Sequence, residues 1–152
     1  MLDLYEELVR LVAALEAQRV DYALCGGLAM AVWAFPRATV DIDLLIEPES
    51  LNAVEAIAES LGYTFRAKPM SFSAGAIEIR RITKIDPASG DSLMLDLLLV
   101  TPATRDVWTT RTRVAWDGGS IGVVSREGLV KLKTFRSSGT DLDDIRRLQE
   151  EG

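Results

Sequence analysis

The sequence predicts one α/β or α+β domain, residues 1–152, with a mixed central sheet flanked by helices. Three patterns predict it. The chain opens on apolar residues at helical spacing. Short β-rich runs then alternate with helical stretches. It closes on a short helical part, residues 125–152. The chain has 152 residues, the usual size of one domain, and shows no internal repeat, low-complexity tract or linker. With 48% hydrophobic and 26% charged residues it has the composition of an ordinary globule.

Leu4, Leu8, Leu11, Val12 and Leu15 recur at helical spacing, so residues 3–19 read as an amphipathic helix. "VDYALCGG" reads as a strand ending in a glycine pair, and "LAMAVWAF" as a short buried helix stopped by Pro36. "DIDLLIEP" is a strand closed by Pro48. "PESLNAVEAIAESLG" is a helix with Pro48 and Glu49 in its first turn and Gly62 at its C-cap. "YTFRA", "AIEIRRITKI" and "SLMLDLLLV" read as strands, the last two joined through "DPASGD" as a hairpin. "RTRVAW" and "SIGVV" form a second hairpin around Gly118 and Gly119. "SREGLVKLKTF" is a helix capped by Ser125. "TDLDDIRRLQEEG" is a last helix with Thr140 as N-cap and Asp141, Asp143 and Asp144 in its first turn.

Absences narrow the chemistry. There is no histidine, which excludes Ser-His-Asp catalysis and imidazole bases. A single cysteine excludes an intrachain disulfide and a CxxC metal site; Cys25 reads as a small buried apolar residue. No apolar run is long enough to span a bilayer, and the acidic, amphipathic start resembles no signal or transit peptide, so the expected location is cytoplasmic. The net charge of −6 argues against non-specific duplex DNA binding. It is unevenly spread: residues 1–60 carry 3 basic and 11 acidic side chains, whereas residues 101–136 carry 7 basic and 3 acidic. The basic segment is either a solvated face or a surface for phosphates.

The carboxylates carry the most information. Asp41 and Asp43 are two apart on a strand, so they share one face, with Ile42 and Leu44 on the other. Two like charges so close repel, and a chain tolerates that where a cation sits between them. Oxygen-only ligands select Mg²⁺ or Mn²⁺. Asp96 interrupts the apolar run "LMLDLLLV". A buried carboxylate there is protonated, paired with a cation such as Arg80 or Arg81, or bound to metal. If its strand lies beside that of Asp41 and Asp43, three acids meet on one face and suit metal-assisted phosphoryl or nucleotidyl transfer.

Gly26 and Gly27 sit between a strand and a helix, where free backbone N–H groups and the helix dipole favour phosphate. There is no P-loop and no dinucleotide fingerprint.

Together, Gly26-Gly27, thirteen intervening residues, Asp41-Ile42-Asp43-Leu44 and a distant lone acid resemble the signature of the DNA polymerase β-like nucleotidyltransferases. "GGLAMAVWAFPRATVDIDLLI" is most similar to the minimal AbiE-type enzymes of abortive-infection and toxin–antitoxin systems, and "LKTFRSSGTDLDDIRRL" to their C-terminal lysine helix and following acid-led helix. The resemblance runs from about residue 20 to the end, without a matching motif in residues 63–92.

It implies a nucleotidyltransferase-like fold and transfer of a nucleoside monophosphate from a nucleoside triphosphate with Mg²⁺ or Mn²⁺. Asp41, Asp43 and Asp96 would be metal ligands and catalytic acids, Asp96 also helping to deprotonate the acceptor hydroxyl. Gly26 and Gly27 would hold the triphosphate. Arg37 and Thr39 would touch phosphate or orient the acids, and Lys133 would neutralise phosphate charge. A surface ion pair for Arg37 and a solvated position for Lys133 are the plainer alternatives. Asp141 matches the family's acid after the lysine helix, although Thr140-Asp141 stands where the family has Lys-Asp. The implied acceptor is a tRNA, another RNA or a protein hydroxyl. The implied partner is a cognate toxin or antitoxin protein, with no membrane partner. The alternative is a non-catalytic antitoxin or regulatory module that keeps the fold.

Overall fold

A computed structural model describes residues 2–33, 41–116, 119–136, 145, 146, 148 and 149. The first helix, α1 (Leu4–Ala17), starts where Asp3 accepts a 3.0 Å hydrogen bond from the Glu6 amide, an N-cap that satisfies one orphan donor. Its stripe of Leu8, Leu11, Val12 and Leu15 is buried, as the spacing predicts. Strand β1 (Ala23–Cys25) runs directly into α2 (Gly26–Trp33), so the glycine pair opens a helix. Strand β2 (Asp41–Ile46) is followed by a single 3₁₀ turn at Pro48–Ser50 and then by α3 (Leu51–Ser60). The predicted helix over residues 48–62 thus begins in the tighter form, common at helix N-termini. Past its end Gly62 has φ +100°, a backbone that glycine adopts without steric cost.

Strands β3 (Tyr63–Arg66), β4 (Met70–Phe72), β5 (Ile77–Ile85) and β6 (Ser92–Leu99) come next. A short helix α4 (Arg105–Thr109), the hairpin β7 (Thr112–Trp116) and β8 (Gly119–Val123), and α5 (Arg126–Arg136) complete the described elements. The sequence pattern missed β4 and α4. Each is too short to show a period, and each forms by docking against a neighbour, β4 on β5 and α4 on α5. Ser125 caps α5 by accepting from the Gly128 amide at 2.9 Å. The last predicted helix lies mostly outside the described residues, as does the turn at Gly118.

The eight strands of the described residues form one mixed sheet in the order β3-β5-β6-β2-β1-β8-β7, with β4 paired to β5 off that path. The β2–β6 and β1–β8 pairs are parallel and the rest antiparallel. β2 lies at the centre, with Ile42, Leu44, Leu45 and Ile46 fully buried. Helices α1 and α3 pack together and cover one face; α2 and α5 pack together on the other. The face assignment follows from β5. Arg81 and Lys84 are three residues apart and therefore on opposite faces. Lys84 meets Glu7 of α1 at 2.8 Å, so the face carrying Arg81 is the one turned away from α1.

Among the described residues no helix is long and apolar enough to cross a membrane.

Candidate active site

The acids are positioned by strand register. Asp43 of β2 is the Cα partner of Asp96 of β6 in a parallel pair, and Asp41 is the partner of Met94. Partners in neighbouring strands point to the same face, and so do residues two apart on one strand. Asp41, Asp43 and Asp96 therefore share a face. The row extends on both sides, because Cys25 is the partner of Asp43 and Arg81 is the partner of Asp96. Cys25, Asp43, Asp96 and Arg81 stand in line across four strands, with Asp41 next to the row.

Burial raises the cost of these charges. Asp43 is 7% exposed and Asp96 4%. A buried carboxylate left uncompensated costs several kcal/mol, roughly 3–5 where a partner has been removed. Arg81 compensates Asp96: its Nε donates to Oδ1 at 2.7 Å and its Nη2 to Oδ2 at 2.9 Å. The Arg81 guanidinium is held above its ordinary pKa, first by these hydrogen bonds and further by the charges of Asp96, Asp41 and Asp43. Register puts these three carboxylates and Arg81 on one face of the sheet.

Gly26 closes the site from the helix side. It has φ +67°, and a Cβ built there would lie 2.1 Å from Oδ2 of Asp43. Only a glycine lets the start of α2 press against this carboxylate. Gly27 follows, buried, in the first turn of α2. Lys133 of α5 completes the wall. It is 3% exposed and lines one small cavity with Cys25, Gly26, Asp43, Leu98, Leu129 and Leu132. Leu129, Leu132 and Lys133 follow an i, i+3, i+4 stripe, so the lysine sits on the buried side of its helix. It is thus buried in the same cavity wall as Asp43, and the plainer expectation of a solvated helix lysine is overturned. Arg37, Thr39 and Asp141 lie outside the described residues.

The donor set fits a hard divalent ion in kind: carboxylate oxygens only, delivered to one face, beside a glycine that clears space at Asp43. Among the described residues no three acid or cysteine side chains form a ready-made metal cage. Both oxygens of Asp96 are directed at Arg81 instead. Sequence reasoning named Arg81 only as one of two candidate partners for Asp96. The hairpin register between β5 and β6 decides between Arg80 and Arg81, because only Arg81 faces the acids.

A roomier hollow of about 630 Å³ lies elsewhere, between α1 and the β7–β8 hairpin, lined by Glu16, Arg19, Tyr22, Arg111 and Arg113 among others. Its charges are largely spent on one another. Tyr22 donates to Glu16 at 2.5 Å, Arg113 donates to the same carboxylate at 2.7 Å, and Arg111 stacks on Trp108 with its guanidinium carbon 3.9 Å from the ring centre. Its Glu16 is already engaged by Tyr22 and Arg113, and the acid row is the better candidate for chemistry.

A family model described as "Nucleotidyl transferase AbiEii toxin, Type IV TA system" matches residues 8–130. Among curated proteins none matches the sequence. Solved structures match over nearly the whole chain. A lincosamide antibiotic adenylyltransferase, LnuA with lincomycin bound, is 18% identical over 97% of both chains, with a TM-score of 0.61. The antibiotic-resistance factor ANT(2'')-Ia is 15% identical over 97% of this chain and 83% of its own, TM-score 0.67. A nucleotidyltransferase candidate from Thermotoga maritima is 18% identical over 97% of this chain and 93% of its own, TM-score 0.64. At such identities the likeness is one of fold, and it is the mixed-sheet, helix-flanked fold predicted from the sequence.

Proposed function

The chain belongs to the AbiEii nucleotidyltransferase toxin family, and from that premise we propose that it moves a nucleoside monophosphate from a nucleoside triphosphate to a hydroxyl of a tRNA, another RNA or a protein, with Mg²⁺ or Mn²⁺ as its metal. The observation that carries the proposal is the register match of Asp43 with Asp96, with Asp41 on the same face.

In this reading Asp41, Asp43 and Asp96 are the metal ligands, and Asp96 also helps to take the proton of the acceptor hydroxyl. The ion, when bound, draws charge off the phosphates and activates the attacking oxygen. Gly26 and Gly27 offer the free amides at the start of α2 to the triphosphate. Lys133 places a positive charge beside Asp43 and the incoming phosphate. Arg37 and Thr39 remain proposed phosphate contacts, and Asp141 a proposed accessory acid. The type IV toxin–antitoxin family implies an antitoxin partner.

The test incubates the protein with each of the four radiolabelled triphosphates, Mg²⁺, and tRNA, total RNA or a co-expressed partner. Labelled acceptor is expected for the wild type. Asp43→Asn is expected to lower it a hundredfold or more, about 3 kcal/mol of transition-state stabilisation. No transfer to any acceptor, or full activity in Asp43→Asn, removes the proposal.

One observation favours a second reading, a non-catalytic module that binds a partner: Asp96 already gives both oxygens to Arg81. Partner binding that survives Asp41→Ala and Asp43→Ala, with no turnover, would select it.

A further inference from the structure

Asp96 is buried, and among the described residues Arg81 is its close cation, placed beside it by the β5–β6 register. The contact is fork to fork, two parallel N–H···O bonds, the arrangement that fixes both groups in orientation as well as in energy. Arg81 is therefore the partner that compensates the buried Asp96 carboxylate inside the sheet. Register puts the same guanidinium on the sheet face that carries Asp41 and Asp43. A divalent ion arriving at those two acids meets a positive charge already in place, and to reach Asp96 it must share or displace the Arg81 bonds.

From this we infer that Arg81 is a positioning residue with two consequences: it holds Asp96 aligned in the metal-free protein, and it weakens the binding of a free divalent ion to the acid face by competing as a built-in cation. The inference rests on the metal-binding reading of Asp41, Asp43 and Asp96. It fits the engagement of both Asp96 oxygens by the Arg81 fork. A unit charge acting across a few ångströms on a doubly charged ion is worth about tenfold in affinity even under strong screening.

The test is Mn²⁺ binding to the full chain without nucleotide, followed by the loss of the free-ion signal in electron paramagnetic resonance. Arg81→Gln keeps donors toward Asp96 and removes the charge. Arg81→Lys keeps the charge and loses the fork. Arg81→Gln is expected to bind Mn²⁺ about tenfold more tightly than wild type, and Arg81→Lys within about threefold of it. In thermal melts without metal, Arg81→Gln is expected to be the less stable, and Mn²⁺ should restore more stability to it than it adds to wild type. Equal or weaker Mn²⁺ binding by Arg81→Gln, with circular dichroism unchanged, overturns the inference. If Arg81→Gln does not fold, Arg81→Lys decides: a tenfold gain in affinity with the charge retained would show that the charge is not what competes. The Asp41→Asn/Asp43→Asn double variant separates the two proposals. Binding that needs these acids but ignores the charge at Arg81 sinks this inference alone. Binding that ignores the acids, or no binding by any form at millimolar ion, sinks the metal-site reading with it.

Discussion

Gly26 and Asp43 are in such close apposition that a Cβ on the glycine would stand 2.1 Å from the carboxylate oxygen Oδ2. The contact joins the end of β1, the start of α2 and the central strand β2. It fixes how near the free amides of α2 come to the acids. Gly26→Ala adds a methyl where there is no room, at φ +67°. The left-handed backbone alone costs about 1–2 kcal/mol for a residue with a side chain, or roughly 2–8 °C in melting temperature for a chain of this size. Nucleotide transfer is expected to fall a hundredfold or more, well beyond what the lost stability accounts for. Melting curves and transfer rates on the same sample check it.

Lys133 is expected to act through charge at the acid site rather than through packing. Lys133→Met keeps the length of the chain in the Leu129–Leu132 stripe. The expected result is a rise in KM for the triphosphate of about tenfold, the worth of one charge-assisted hydrogen bond, with the fold retained. Unchanged kinetics would leave Lys133 as a packing residue.

The opposite face supplies a control. Glu7 of α1 accepts from Lys84 at 2.8 Å and from the hydroxyl of Tyr63 at 3.0 Å, all three packed under the helix layer away from the acids. Lys84→Met removes the charge that pairs with Glu7, which is 5% exposed. The expected cost is about 3–5 kcal/mol of stability. Glu7→Gln in the same chain should recover part of it. Transfer measured below the melting transition should be unaffected in both. A selective loss of kcat would mean that the two faces are coupled.

The junction of α1 with the β7–β8 hairpin gives a pH dependence. Burial first, and then its hydrogen bond to Glu16, push the Tyr22 hydroxyl up from 10.0 to about 12. Its folded value lies above its unfolded one, so its stabilisation is complete below pH 10 and is lost as pH rises toward about 12. Glu16 moves the other way, held below 4.5 by its bonds to Tyr22 and then Arg113, so its share is present above 4.5 and is lost as pH falls through the lowered value. Denaturant midpoints across pH should decline at both ends, and Tyr22→Phe should flatten the alkaline decline. An unchanged alkaline slope in that variant would refute the assignment.

Several elements were legible in the sequence because their signals are local. The stripe of Leu8, Leu11, Val12 and Leu15, the two-residue spacing of Asp41 and Asp43, and Ser125 before α5 need only the chain within a few residues of themselves. From these the sequence by itself determined a mixed α/β domain, two acids on one strand face, and a lone acid in an apolar strand. It did not determine that Asp96 stands opposite Asp43, that Arg81 rather than Arg80 takes its oxygens, or that Lys133 is buried beside Gly26. Those depend on which strands become neighbours and in what register, and a shift of a single residue would turn each side chain to the other face. Register between β2 and β6, more than fifty residues apart in the chain, is set by burial of the whole sheet under two helix layers, and only the tertiary structure fixes it.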